Sequence, residues 1–236
     1  MTSKRVEIAA TYHFLFLTYL TVVLFTFTSI TRAANAPLRD VEQVLEALER
    51  KLETISTYTC KLHSTVISGI IKEERVFEYA FNRPRLIRMR VIEGNDRGSV
   101  LVYKNGKVRG RRGGLISWVV LTYEPSDRDV VSVRGGRIDQ SDLLFIMEVL
   151  RNAKRGKKIV LNRNELVHGK MYYRLDLLQH VEPLEAGASK GSFWVDSEDL
   201  VVSQYELYDL NGQLIYRQVH EHVQLNASLS KQLFEM

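Results

Sequence analysis

The spacing of apolar residues changes character along the chain. Between Phe14 and Ile30 no charge interrupts seventeen residues, twelve of them apolar or aromatic. From Asp40 to Ile55 the apolar positions Val41, Val44, Leu45, Leu48, Leu52 and Ile55 fall three, four or seven apart, as on one helical face. Asp40 with Gln43 three residues later has the pattern of a capping box, so this stretch predicts an amphipathic helix. From Tyr58 the period is two. Tyr58, Cys60, Leu62 and Val66 alternate with mostly polar residues, then Phe77, Tyr79 and Phe81, then Ile87, Met89 and Val91.

Asn105-Gly106 joins Val100–Tyr103 to Val108–Arg111 and predicts a hairpin, because Asn and Gly tolerate positive φ. Leu115–Tyr123 and Val130–Val133 predict two further strands. A second helix is expected over Asp142–Ala153, with Leu143, Ile146, Met147 and Leu150 on one side and Asp139 or Ser141 as cap. Strands return at Ile159–Val167 and Met171–Leu178, a polar loop follows over Glu182–Gly191, and the chain closes with Phe193–Asp196, Leu200–Tyr208 and Leu214–Leu225. About ten strands with two or three helices predict an α+β fold. An antiparallel sheet of that size closes, stacks or curls. The expected form is a curved antiparallel sheet, an incomplete β-barrel, with the helices covering its concave face.

The apolar run at Phe14–Ile30 follows Lys4 and Arg5 and precedes Ala34-Asn35-Ala36, the small-x-small pattern of a signal peptidase site. Residues 1–36 read as a signal peptide cleaved after Ala36, and residues 37–236 as one domain in the periplasm. The alternative is an uncleaved inner-membrane anchor, since seventeen residues fall a little short of the roughly 20 that span a bilayer. Removing residues 1–36 takes out Lys4, Arg5, Arg32 and Glu7, and the net charge falls from +5 to +3. That balance is mild for a nucleic-acid binder, and no nucleic-acid partner is expected. The single Cys, Cys60, forms no internal disulfide and reads as a core thiol.

Several segments together resemble the LolA/LolB-type lipoprotein carriers: Arg83-Pro84 after an aromatic strand, the Glu93-Gly94 corner, Val102–Lys107, and the ending Val223–Asn226 with Leu229 and Phe234. Tyr58-Thr59-Cys60 and the spacing of Arg83-Pro84 look closer to an uncharacterised bacterial LolA-like branch. The order of elements over residues 37–236 carries the resemblance, and no single motif does. It implies an incomplete barrel closed by helices around an apolar cavity that shields acyl chains. It also implies that Arg83 latches the lid helix; the alternative for Arg83 is an exposed strand-end arginine beside a turn proline. This chain departs from the carriers in being longer and richer in arginine.

Other chemistry finds less support. His220-Glu221-His222 would place two imidazoles on one side of a strand, but Gln218 and Gln224 share that side, which reads as solvent-facing. With no third ligand evident, no metal is expected. Gly106, Gly110, Gly113 and Gly114 lack the phosphate-loop pattern, and Asp209-x-Asn211-Gly212 lacks the rest of a calcium loop. There is no Gly-x-Ser-x-Gly, and Asp127, Asp129, Asp139 and Asp142 fit turns or a helix start. Asn226-Ala227-Ser228 fits a glycosylation acceptor, incidental in a bacterial protein. The chain is expected to be non-catalytic, without a cofactor, and monomeric.

From Arg83 to Arg112 there are ten Lys or Arg against Glu93 and Asp96. Arg88, Arg90, Lys107, Arg109, Arg111 and Arg112 would form a basic convex face, either a solvated side of the sheet or a site for an anionic headgroup, a membrane surface or an acidic polymer. The opposite parity, Phe77, Tyr79, Phe81, Ile87, Met89 and Val91 with Trp118, Val120 and Trp194, is expected to line a cavity for acyl chains of a lipid or lipoprotein. The alternative is a non-catalytic envelope interaction module, its concave face filled by helices and its basic face binding a protein or anionic polymer. An internal void discriminates the two.

Overall fold

A computed structural model describes residues 38–115, 117–167, 169–178 and 185–236. The N-terminal apolar run and the expected cleavage after Ala36 lie outside the described residues.

Helix α1, Val41–Glu53, begins where the sequence places it: the Asp40 side chain accepts from Gln43 N at 2.9 Å, and Gln43 Oε1 accepts from Arg39 N. Five strands then run as successive hairpins: β1 (Thr57–Ser68), β2 (Ile71–Asn82), β3 (Leu86–Gly94), β4 (Val100–Lys104) and β5 (Lys107–Arg111). The β4–β5 turn has Asn105 at φ 53° and Gly106 at φ 78°, the geometry that Asn-Gly favours. At the end of β3, Gly94 has φ 93°, and a Cβ there would sit 2.2 Å from Glu74 O, so this corner requires glycine. The Arg83–Pro84 peptide is cis.

A short strand β6 (Leu121–Tyr123), a 3₁₀ turn at Ile138–Gln140 and helix α2 (Leu143–Arg155) follow. The sequence over-reads here: among the described residues of Leu115–Tyr123 only three form strand, and Val130–Val133 forms none. Both stretches are apolar, but β5 is so short that it can pair few residues of its neighbour. Strands β7 (Ile159–Val167), β8 (Lys170–Leu177), β9 (Lys190–Asp196), β10 (Val202–Tyr208) and β11 (Leu214–Leu225) complete the chain, with a 3₁₀ turn at Lys231–Phe234.

The eleven strands make one antiparallel sheet in the order β6-β5-β4-β3-β2-β1-β11-β10-β9-β8-β7. The first strand pairs with the last, so the two meanders join at β1–β11, while β6 and β7 remain as unpaired edges. The result is a curved, open α+β sheet, as expected. Residues Arg39–Met236 form one compact unit.

Element lengths explain how the concave face is used. The 12-residue strands β1, β2 and β11 run about 40 Å, whereas each 13-residue helix spans about 20 Å. Both helices bury an apolar face, Val44, Leu45, Leu48 and Leu52 on α1 and Leu143, Ile146, Met147 and Leu150 on α2. Arg151 to Glu49 and Lys154 to Glu42 tie the helices together. The Tyr58 hydroxyl accepts from Leu143 N at 3.2 Å, anchoring the start of α2 on β1. Two such helices are too short to cover the sheet, and part of its concave side is left to the segment between β6 and α2.

A second, smaller core lies on the opposite face. Ala80, Val100 and Val102 are buried beneath Phe234, with Leu86, Leu229, Leu233 and Met236 packed around them. The C-terminal segment is therefore a strap across the outside of β2–β4.

Candidate functional site: a half-open cavity beside the helices

A cavity of about 950 Å³ occupies the part of the concave face that the helices leave free. One wall comes from the inner parity of β1–β5: Leu62, Ser64 and Val66, then Phe77, Met89, Val91, Leu101 and Gly110. These residues face the same way because they are cross-strand partners, Leu62 with Phe77, Phe77 with Val91, and Met89 with Leu101 and then Gly110. The other wall is the segment from Arg128 to Ser141, including Val130 and Ile138. No residue of either helix lines the cavity.

The proposed lining residues divide accordingly. Phe77, Met89 and Val91 line the cavity. Tyr79, Phe81 and Ile87 share their parity but lie farther along the strands, where they are buried in the closed core near the helices. There Tyr58 stacks on Tyr79 and Phe81, at 5.6 and 5.0 Å between ring centroids. Three expectations are corrected. Trp118 is 76% exposed in the β5–β6 loop, because no strand forms there to turn it inward. Val120 is half-buried off the cavity, and its neighbour Val119 lines it instead. Trp194 faces outward, paired with Arg174 and Gln204; its indole donates to Glu165 at 3.0 Å, and Arg174 lies over its ring at 5.4 Å. Strand β9 is buried on both faces, so apolarity there does not report direction, and Phe193 is the inward residue.

Most of the expected basic convex face shares one outward parity, with Arg88 in register with Val102 and Arg109, and Arg90 with Val100 and Arg111. Arg88 and Arg90 project outward from β3, where Arg90 pairs with Glu78 at 3.3 Å. Burial lowers the pKa of the Arg88 guanidinium, opposed by Glu78. Lys107 pairs with Glu124, and Arg109 is exposed. Between them the strap covers Val100 and Val102. Arg111, across from Val100, faces outward with them and acts with Arg90 against the Arg88 charge, while Arg112, one residue past β5, stands at the cavity.

Arg83 donates from Nη2 to Leu52 O and from Nε to Ile55 O, each at 2.6 Å. These carbonyls close the C-terminal end of α1, where a cation is favourable. The helix is thus held to the β2–β3 turn by one guanidinium.

The polar groups around the cavity were largely missed by sequence reasoning. Glu185 is buried, accepts from Ser132 Oγ at 3.1 Å, and approaches Gly136 so closely that a Cβ there would lie 2.0 Å from its Oε1. Burial pushes its pKa up to about 7, against the opposing pull of Ser132, Arg134 and the Gly136 amide. Arg134 donates to Ile67 O and, at 2.9 Å, to Ala186 O, so the 132–136 loop is pinned to β1 and to the turn after Glu185. The solvent-facing reading of Gln218 and His220 is wrong: both are buried on the inner face. Tyr205 and Tyr216 donate to Gln218 Oε1 at 3.1 and 2.5 Å, and the Gln218 amide donates to His220 Nε2 at 3.0 Å. Burial lowers the His220 pKa to about 4. A bulge opposite Cys60, with His222 at φ 54°, breaks the alternation on which the two-histidine face was based. Among the described residues no group of three His, Cys, Asp or Glu is placed to hold a metal. Asp142 caps α2 by accepting from Phe145 N at 2.9 Å, and Arg85 Nε lies 3.0 Å from it; burial raises its pKa, with Arg85 pulling the other way. Cys60 is buried, which raises its thiol pKa, in keeping with a core thiol.

No protein-family model matches the chain, and no curated protein sequence does. Solved structures do. An uncharacterized conserved protein from Thermus thermophilus is 10% identical over 83% of this chain and 92% of that one, with a TM-score of 0.53, which shows a shared fold. Weaker likenesses include the Mycobacterium tuberculosis lipoprotein LppX, 7% identical over 80% of this chain and 97% of that one at TM-score 0.49. A LolA-superfamily protein from Nitrosomonas europaea is 12% identical over 84% and 99%, at TM-score 0.41.

Proposed function

We propose that the protein binds the acyl chains of a lipid or lipoprotein in its half-open cavity and acts without catalysis as a carrier or chaperone in the cell envelope. The observation that carries this reading is the cavity itself. Its volume of about 950 Å³ lies at the upper end of ligand pockets, roughly 300–1,000 Å³. Its sheet wall is largely apolar, and the helices that could have filled it stop short. Each methylene moved from water onto that wall contributes about 0.8 kcal/mol, so an acyl chain is held without a covalent step. Ser64, Gln218 and the Glu73–Arg75 pair stand at the same cavity and suit the polar end of such a ligand. Export through the N-terminal segment would deliver the protein to the periplasm. Arg83 would serve as a latch on α1, whose release loosens the packed half of the concave face.

The test is native mass spectrometry of exported protein, followed by organic extraction. A stoichiometric lipid or acylated peptide is expected, and it should be lost in Met89→Lys, which places a charge on the apolar wall. A ligand-free mass, with no uptake of a fluorescent fatty acid, would overturn the reading in favour of an interaction module.

A further inference from the structure

We infer that the mouth of the cavity is a membrane-docking rim, seated on bilayers that carry anionic lipid. The described residues include twelve exposed large apolar side chains; four of them line this mouth, and three more neighbour those four along the chain, on three separate segments in all. Ile70 and Ile71 stand at the β1–β2 turn. Leu115, Trp118, Val119 and Leu121 lie on or beside the β5–β6 connection, and Val133 is on the loop that pins to Glu185. Ile71, Val119, Leu121 and Val133 line the cavity, while Ile70, Leu115 and Trp118 are exposed and do not line it. Ile70 is fully exposed at its turn, and Leu115 is 91% exposed.

Charge selects the occupant. Arg112 and Arg128 line the same mouth, and among the described residues neither forms an ion pair or a side-chain hydrogen bond. The acids beside them are in part already engaged, Glu73 and Asp96 with Arg75. Apolar tips around an opening, with a tryptophan and free guanidinium groups, fit the bilayer interface: chains enter the acyl boundary while cations meet anionic headgroups. A protein partner would require a continuous, shape-matched patch, whereas these side chains stand on separate turns around an opening. Docking here would bring the cavity directly onto its source of acyl chains; that use rests on the lipid-binding reading, but the rim does not.

The full chain is exported, purified and tested by co-sedimentation with phosphatidylcholine vesicles, with and without a one-third share of phosphatidylglycerol. Binding should need the anionic lipid and weaken with salt. The chain has two tryptophans, and Trp194 is buried, so quenching by lipids brominated along the acyl chain reads Trp118. The combined variant Ile70→Ser, Leu115→Ser, Trp118→Ser should lower partitioning by about ten-fold or more. Arg112→Gln with Arg128→Gln should reduce it to the level of neutral vesicles, and Leu166→Ser, exposed near the β7–β8 turn at the opposite end of the strands, should leave it unchanged. All these proteins share one N-terminus, so its contribution cancels. Undiminished binding of the triple serine variant, absent Trp118 quenching, or no vesicle binding at all would overturn the rim. Self-association abolished by the serine variant, without vesicle binding, would instead assign the rim to a second copy. A protein that co-purifies with lipid but ignores vesicles would defeat the rim alone; one that binds vesicles through the rim but carries no lipid would defeat the cavity reading alone.

Discussion

At the scale of single residues, two buried groups set opposing pH trends. Glu185 has its pKa raised from 4.5 to about 7, so its contribution to stability is complete below 4.5 and is lost as pH rises through 7. His220 has its pKa lowered from 6.5 to about 4, so its contribution is complete above 6.5 and is lost as pH falls through 4. Glu185→Gln keeps an acceptor for Ser132 and removes the buried charge. The variant should melt several degrees higher than the parent at pH 8, a gain of at most about 3 kcal/mol, and should match it at pH 4.5. Equal melting temperatures at pH 8 would mean that the loop relaxes to hydrate the carboxylate. Neither residue was legible as special in the sequence. Glu185 lies within a polar stretch, and Gln218 and His220 sit on the more polar parity of β11, opposite Ile215, Val219, Val223 and Leu225, so the local pattern pointed away from burial.

At the scale of elements, Arg83 and the C-terminal strap are the two attachments most open to test. Arg83→Ala removes two charge-assisted hydrogen bonds to the end of α1, with an expected cost of about 2–3 kcal/mol. Hydrogen exchange should accelerate first in the last turn of α1, and Arg83→Lys should restore only part of the protection, because an ammonium lacks the planar fork. If α1 exchanges as in the parent, the guanidinium is not its fastening. Phe234→Ala should cost about 3 kcal/mol and expose Val100 and Val102 to an apolar dye; unchanged dye binding would show that the strap holds without its phenylalanine. The helices and hairpins were readable because their signals are local: Asp40 and Gln43 at one helix start, Asn105-Gly106 at one turn. The β5–β6 region was misread for the converse reason, since Leu115–Tyr123 has the apolarity of a strand but β5 offers it only three paired residues.

At the scale of the whole molecule, the open sheet and its two short helices explain why there is a cavity at all. No helix among the described residues is long and apolar enough to cross a membrane. The proposed bilayer contact at the cavity mouth belongs to this scale, and the vesicle experiment addresses it. The sequence by itself determined the period of each segment, the turn chemistry and the inner parity of β1–β3, because these follow from backbone sterics over a few residues. It also made the curved α+β sheet the economical solution. Only the tertiary structure decided which part of that inner face is filled. Tyr79, Phe81 and Ile87 carry the same alternation as Phe77, Met89 and Val91, yet one set is sealed near the helices and the other faces a void. That division is set by the reach of 13-residue helices across 12-residue strands, a long-range match of lengths that alternation within a strand does not encode.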